Sequence, residues 1–189
     1  MNKDQESQDD ESKAWLVTSR QKRFENSWLA IYEETTLLPN HKNFVFTIAQ
    51  ASDWVSIIPI TAEGNFLLVE QYRPAWKSTS LEFPAGKIEG QESPEQAATR
   101  EMQEETGYVP NTLEFLYKAR PVTWTTQWVY AFLAKDLKFS PRAADESEFI
   151  TTVEVKPTEF ERLMKEERII ELQTIALFYY FKQNGDHKL

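Results

Sequence analysis

One predicted helix constrains this chain more than any other segment. Ser93, followed by Pro94 and by Gln96 three residues after the cap, is a capped helix start, and Gly107 supplies a stop. The spacing predicts a helix over 94–106. On a wheel of about 100° per residue, Glu104 and Glu105 lie within about 60° of Glu101. Ala97, Ala98 and Met102 share that side, whereas Glu95, Gln96, Thr99 and Gln103 take the opposite one.

This is the reverse of an ordinary surface helix, which keeps its acids away from its alanines. Burying an unpaired carboxylate costs several kcal/mol, on the order of a protein's whole margin of stability. Arg100, four residues before Glu104, offers one counter-charge, but one cation does not balance three anions. Divalent cations would, and hard oxygen donors select magnesium or manganese over zinc.

Composition narrows the remaining chemistry. The 189 residues contain no cysteine and two histidines, His41 and His187, so thiolate zinc sites, a cysteine nucleophile and two-histidine metal sites are disfavoured. Lysine and arginine number 21 against 30 aspartates and glutamates, a net charge of −9 that lacks the positive footprint of a duplex nucleic-acid binder. No apolar stretch is long enough to span a membrane or serve as a signal-peptide core, so the expectation is a cytoplasmic protein with no membrane partner. Residues 1–13 read as a disordered acidic tail, 14–50 as an N-terminal β region, and 51–189 as the main domain.

Strands are expected at Trp28–Tyr32 and Phe44–Ile48, joined by a Pro39-Asn40-His41 turn. Trp54–Ile60 and Phe66–Tyr72 read as a second strand pair around a Gly64-Asn65 turn, with further strands at 115–117, 129–133 and 152–155. Two more helices fall near 158–167 and 172–182, the last apolar almost all round and so expected to be covered on both faces. The sum is an α+β domain with a mixed sheet and helices on its faces.

The segment from Gly86 to Tyr108 is similar to the box of the Nudix hydrolases, G-x5-E-x7-R-E-U-x-E-E-x-G-U, with U a bulky aliphatic residue. Gly86, Glu92, Arg100, Glu101, Glu104, Glu105 and Gly107 match all seven fixed positions, and only the two U positions depart, as Met102 and Tyr108. A chance match at one start point is on the order of one in 10^8 to 10^9 at ordinary residue frequencies. Gln71-Tyr72-Arg73-Pro74, Leu81-Glu82-Phe83-Pro84-Ala85-Gly86 and the strands around Asn26–Leu29 resemble the ADP-ribose and nucleotide-sugar pyrophosphatase branch.

That resemblance implies an α/β/α sandwich with an extra N-terminal antiparallel sheet. It also implies hydrolysis of nucleoside diphosphate sugars with Mg2+ as cofactor, Mn2+ being able to substitute. Glu101 and Glu105 match the principal metal ligands, with Glu104 in support and the Ala85 carbonyl as a further ligand, and the resemblance counts Glu104 and Arg100 among the catalytic residues. In Asp145-Glu146-Ser147-Glu148 the resemblance makes Glu146 the general base and Glu148 an accessory ligand. Arg73 and Glu82 would bind substrate, with Arg73 on the phosphates. Trp28 would stack on the base, or serve as a packing tryptophan. A homodimer through the N-terminal sheet is expected.

One stretch departs from the branch. Where relatives tend to carry Pro-Gly-x-Ser-x-Glu, this chain reads Pro121-Val122-Thr123-Trp124-Thr125-Thr126-Gln127-Trp128. The two tryptophans line either the pocket or an interface, and the base could be other than adenine. The alternatives are a Nudix hydrolase for a dinucleotide or nucleoside triphosphate, and a nucleotide-sugar sensor without catalysis.

Overall fold

Two strands hold the centre of the main unit because their residues are apolar on both faces. They are β4 (Trp54–Pro59) and β9 (Val129–Phe139), which run parallel in register from Trp54↔Val129 to Pro59↔Ala134. A parallel pair must be covered on both sides, and near-continuous apolar runs such as Val55–Ile58 and Ala131–Ala134 meet that need. The computed structural model describes residues 15–142 and 149–184. They divide into two compact units, residues 15–51 with 122–127, and residues 52–121 with 128–142 and 149–184.

The smaller unit is an antiparallel sheet of β1 (Leu16–Glu25), β2 (Leu29–Leu37) and β3 (Asn43–Ala51), in that order. The turn at His41 has a positive φ of 62°, and β2 and β3 run from Leu29↔Ala51 to Leu37↔Asn43. Strand β1 falls in the 14–50 β region but matches none of the individual strands expected there. Every one of its residues is exposed, so it shows no burial alternation to read. The 122–127 segment joins this unit through hydrogen bonds from Ala49 N–H to the Trp124 carbonyl and from Thr126 N–H to the Ala49 carbonyl, at 2.8 and 3.0 Å.

In the larger unit, β7 (Ala85–Lys87), β4, β9 and β8 (Tyr108–Ala119) form one sheet in that order. The other sheet is β10 (Ile150–Val155), β5 (Phe66–Arg73) and β6 (Ser78–Glu82). Strands β4 and β5 are therefore in different sheets. The expected second pair survives only as an Ile60↔Phe66 bridge, although the turn is real, with Gly64 at φ +81°. Instead β4 pairs with β9 and β7, and β5 pairs with β10 and with the following strand β6.

Alternation along β4 and β9 builds two cores. Val55, Ile57, Phe132 and Ala134 face Ala97, Ala98 and Met102 of helix α1 (Pro94–Thr106). Ile58, Ala131 and Leu133 face a larger core built around phenylalanines. There Phe66 meets Phe83, Phe160, Phe178 and Phe181 edge-on at 5.4–6.0 Å, and Phe160 stacks on Phe178 at 4.0 Å. Burying each ring contributes about 1.5–3 kcal/mol before the edge-on contacts are counted.

The predicted helix near 158–167 is shorter and broken: a 3-10 turn at Pro157–Glu159 leads into α2 (Phe160–Lys165). The last helix, α3 (Leu172–Asn184), buries Thr174, Leu177, Phe178 and Phe181, but Leu172 and Tyr179 are exposed. Within the described residues one of its faces is covered, not both.

Helix α1 follows its caps. Ser93 accepts from Gln96 N–H at 3.2 Å, Gln96 Oε1 accepts from Ser93 N–H at 2.8 Å, and Gly107 ends the helix at φ +76°. Ser93→Ala should lower stability by about 1 kcal/mol. For a domain of this size that is about 2–4 °C in Tm, checked by calorimetry.

Candidate active site

Helix α1 lies with its acidic seam against β7, and a glycine makes the approach possible. A Cβ on Gly86 would overlap the Glu101 carboxylate, so any side chain there would displace either the carboxylate or the strand. Glu105 reaches the same strap, its Oε2 accepting the Ala85 N–H at 3.0 Å. Two of the predicted ligands therefore meet the backbone of Ala85-Gly86, where the third was expected.

Arg100 is the hub of the cluster. Its Nε and Nη2 donate to the two oxygens of Glu92 at 2.7 and 2.9 Å. Nη1 donates to both Glu101 and Glu104 at 2.9 Å, and Nη2 also donates to the Lys87 carbonyl at 2.9 Å. These bonds, those to Glu92 foremost, hold Arg100 firmly charged, and the guanidinium in turn keeps Glu92 below the usual carboxylate range. The expected single counter-charge is joined by one that sequence reading missed: Arg142 pairs with the other oxygen of Glu104 at 3.0 Å. Nothing local in the Pro141-Arg142 loop sequence marks that pairing.

A second cluster lies on β5 and β6. Glu82 is almost wholly buried and accepts from Gln71 Nε2 at 3.3 Å and from Arg73 Nε at 3.0 and 3.1 Å, with a further close pairing to Arg73 Nη2. Burial opposes the Arg73 charge, but the bonded Glu82, with Glu171 and Glu105 nearby, raises its pKa above the ordinary value. The field of Glu105 links this cluster to helix α1. Arg73 spends one edge on Glu82, while its Nη1 makes no hydrogen bond to the described residues.

Trp28 lies in the smaller unit and is 64% exposed. Of the two departing tryptophans, Trp124 joins that unit and is exposed, whereas Trp128 belongs to the larger one. There its N–H donates to Asp53 Oδ1 at 2.8 Å, and the Arg120 guanidinium lies 3.8 Å over its ring. Glu146 and Glu148 fall outside the described residues. Among the described residues, no three acidic or histidine side chains converge to hold an ion unaided. The donors that do approach Ala85-Gly86 are hard carboxylate oxygens with no thiolate or imidazole among them, the set suited to a hard divalent cation.

Comparison with known proteins agrees with this geometry. The NUDIX domain family model matches residues 53–177. A "Methanol dehydrogenase activator" of Bacillus methanolicus is 34% identical over 77% of this chain and 80% of its own. An "ADP-ribose pyrophosphatase" of Bacillus subtilis (strain 168) is 30% identical over 87% of this chain and 90% of its own. A solved structure described as an ADP compounds hydrolase shares the fold at a TM-score of 0.81 and 21% identity, covering 92% of this chain and 97% of that one. A buried carboxylate helix on a glycine strap, within a family match spanning 53–177, places this chain in the Nudix family.

Proposed function

We propose that this protein hydrolyses the pyrophosphate bond of nucleoside diphosphate sugars, ADP-ribose among them, to a nucleoside monophosphate and a sugar phosphate. The observation that carries this reading is the juxtaposition of two unlike clusters. One is a carboxylate seam against Ala85-Gly86; the other is an arginine fork held by buried Glu82, with Nη1 making no hydrogen bond to the described residues. The first suits a divalent cation and the second a diphosphate oxygen. The name of the Bacillus subtilis relative points to the same substrate class.

Glu101, Glu105 and the Ala85 carbonyl would hold the cation, Mg2+ with Mn2+ as a substitute, and Glu148 would add a ligand. When bound, the cation acidifies water and offsets the charge that builds on the diphosphate. The protein's own groups do the rest. Arg73 grips the diphosphate and is kept from swinging away by Glu82. Arg100 fixes Glu101 and Glu104 in place. Glu146 takes the proton of the attacking water as general base.

Trp28 stacks on the base. The protein works in the cytoplasm as a homodimer, for which the exposed Trp15, Leu16, Val17, Phe24, Phe44 and Val45 of the smaller unit supply apolar surface.

Three measurements test this. A panel of ADP-ribose, GDP-mannose, ADP-glucose, UDP-glucose, NADH, diadenosine polyphosphates and nucleoside triphosphates should yield monophosphate plus sugar phosphate from the sugar nucleotides, only with Mg2+. Cleavage of triphosphates or dinucleotides alone would place the chain in another substrate class, and tight binding without cleavage would make it a sensor. Glu105→Gln should lower kcat at least a hundredfold at saturating Mg2+. Glu146→Gln should lower kcat by a similar factor while KM stays within about threefold; near-wild-type turnover would remove Glu146 as the base.

A further inference from the structure

The start of helix α3 grips the strap that carries both clusters. Strand β6 pairs with β5 on one side only, in the register Val69↔Glu82 to Arg73↔Ser78, so its other edge would present unpaired N–H groups. Residues 168–174 cover that edge. The Leu81 N–H donates to the Arg168 carbonyl at 2.8 Å, and the Phe83 N–H donates to Thr174 Oγ1 at 3.0 Å. Thr174 is fully buried and Phe83 nearly so.

A hydroxyl has one proton, and here its direction is set. Thr174 Oγ1 donates to Glu171 Oε2 at 2.5 Å, and the same oxygen accepts the Thr174 N–H at 2.9 Å. With its proton committed to Glu171, Oγ1 turns a lone pair toward the Phe83 N–H. Phe83 lies directly between Glu82, which holds Arg73, and Pro84-Ala85-Gly86, which meets Glu101 and Glu105. The Glu171 carboxylate is also within electrostatic reach of both Arg73 and Glu82.

We propose that Glu171 and Thr174 are positioning residues of the active site, pinning Phe83 so that Glu82 holds Arg73 at the diphosphate and Ala85-Gly86 stays against the carboxylate seam. The inference rests on the substrate class proposed above. Glu171 and Thr174 touch no reacting atom; they act through the strap. Their spacing is that of a helix cap, which conceals the contact with Phe83 when the sequence is read alone.

The test compares Thr174→Val, which keeps the shape but loses the hydroxyl, with Thr174→Ser, which restores it. Steady-state kinetics on ADP-ribose with Mg2+ would be read beside hydrogen exchange of the Phe83 amide by NMR without substrate. Thr174→Val should speed exchange at Phe83 and raise KM at least fivefold, and Thr174→Ser should return KM to within about twofold of wild type. A residue that merely held the fold together would lower Tm and apparent kcat with KM unchanged, and that result would overturn the proposal. So would unaltered Phe83 exchange in Thr174→Val, whatever the substrate proves to be. Wild-type turnover of ADP-ribose, measured alongside, separately reads the functional assignment. Should Thr174→Val not fold, Glu171→Ala keeps the hydroxyl but frees its proton, and it should raise KM at least threefold; an unchanged KM there would also overturn the proposal.

Discussion

The acidic cluster of the proposed site depends on one guanidinium. Three glutamates on and before α1 converge on Arg100, and each is matched by a hydrogen bond of 2.7–2.9 Å. Arginine suits this position because its planar fork carries five N–H donors in fixed directions, which a lysine ammonium cannot reproduce. Without it, Glu92, Glu101 and Glu104 would repel one another beside an apolar seam, and Glu101 would have no reason to stay over Gly86. The bond from Arg100 to the Lys87 carbonyl ties the same hub to the end of β7, so the helix and the strap are set relative to each other by one side chain.

Around that hub the fold acts as a frame. Alternate residues of β4 and β9 feed two cores, one against α1 and one built of phenylalanines. In the first, the helix contributes the small side chains Ala97 and Ala98, which let it approach closely enough for Glu101 to meet a glycine. The second is bulky and anchors β5, β6 and α3, whose residues carry the Arg73–Glu82 pair and its supports. Disturbing either core would move one cluster relative to the other.

Much of this was legible in the sequence where the physics is local. The caps of α1 and the Gly64 turn follow from contacts between residues a few positions apart, and the side of the helix that carries its acids follows from its periodicity; each is present. What failed to show depends on distant partners. Strand β1 is exposed throughout and carries no pattern. The β4 and β5 runs look like a hairpin, yet β4 pairs with β9, 75 residues later, and β5 with β10. Helix α3 reads as apolar on all sides although only part of its surface is covered. Arg142 and Thr174 are invisible for the same reason: their partners, Glu104 and Phe83, lie 38 and 91 residues away.

The central claim is that the acids of α1 are turned inward to hold a divalent cation. Titration of the protein with Mn2+, followed by the electron paramagnetic resonance of the unbound ion, tests it without any substrate. The wild-type chain should take up Mn2+ saturably, and Glu101→Gln, which keeps the size of the side chain, should weaken uptake at least tenfold. Equal uptake by the two proteins would contradict the account.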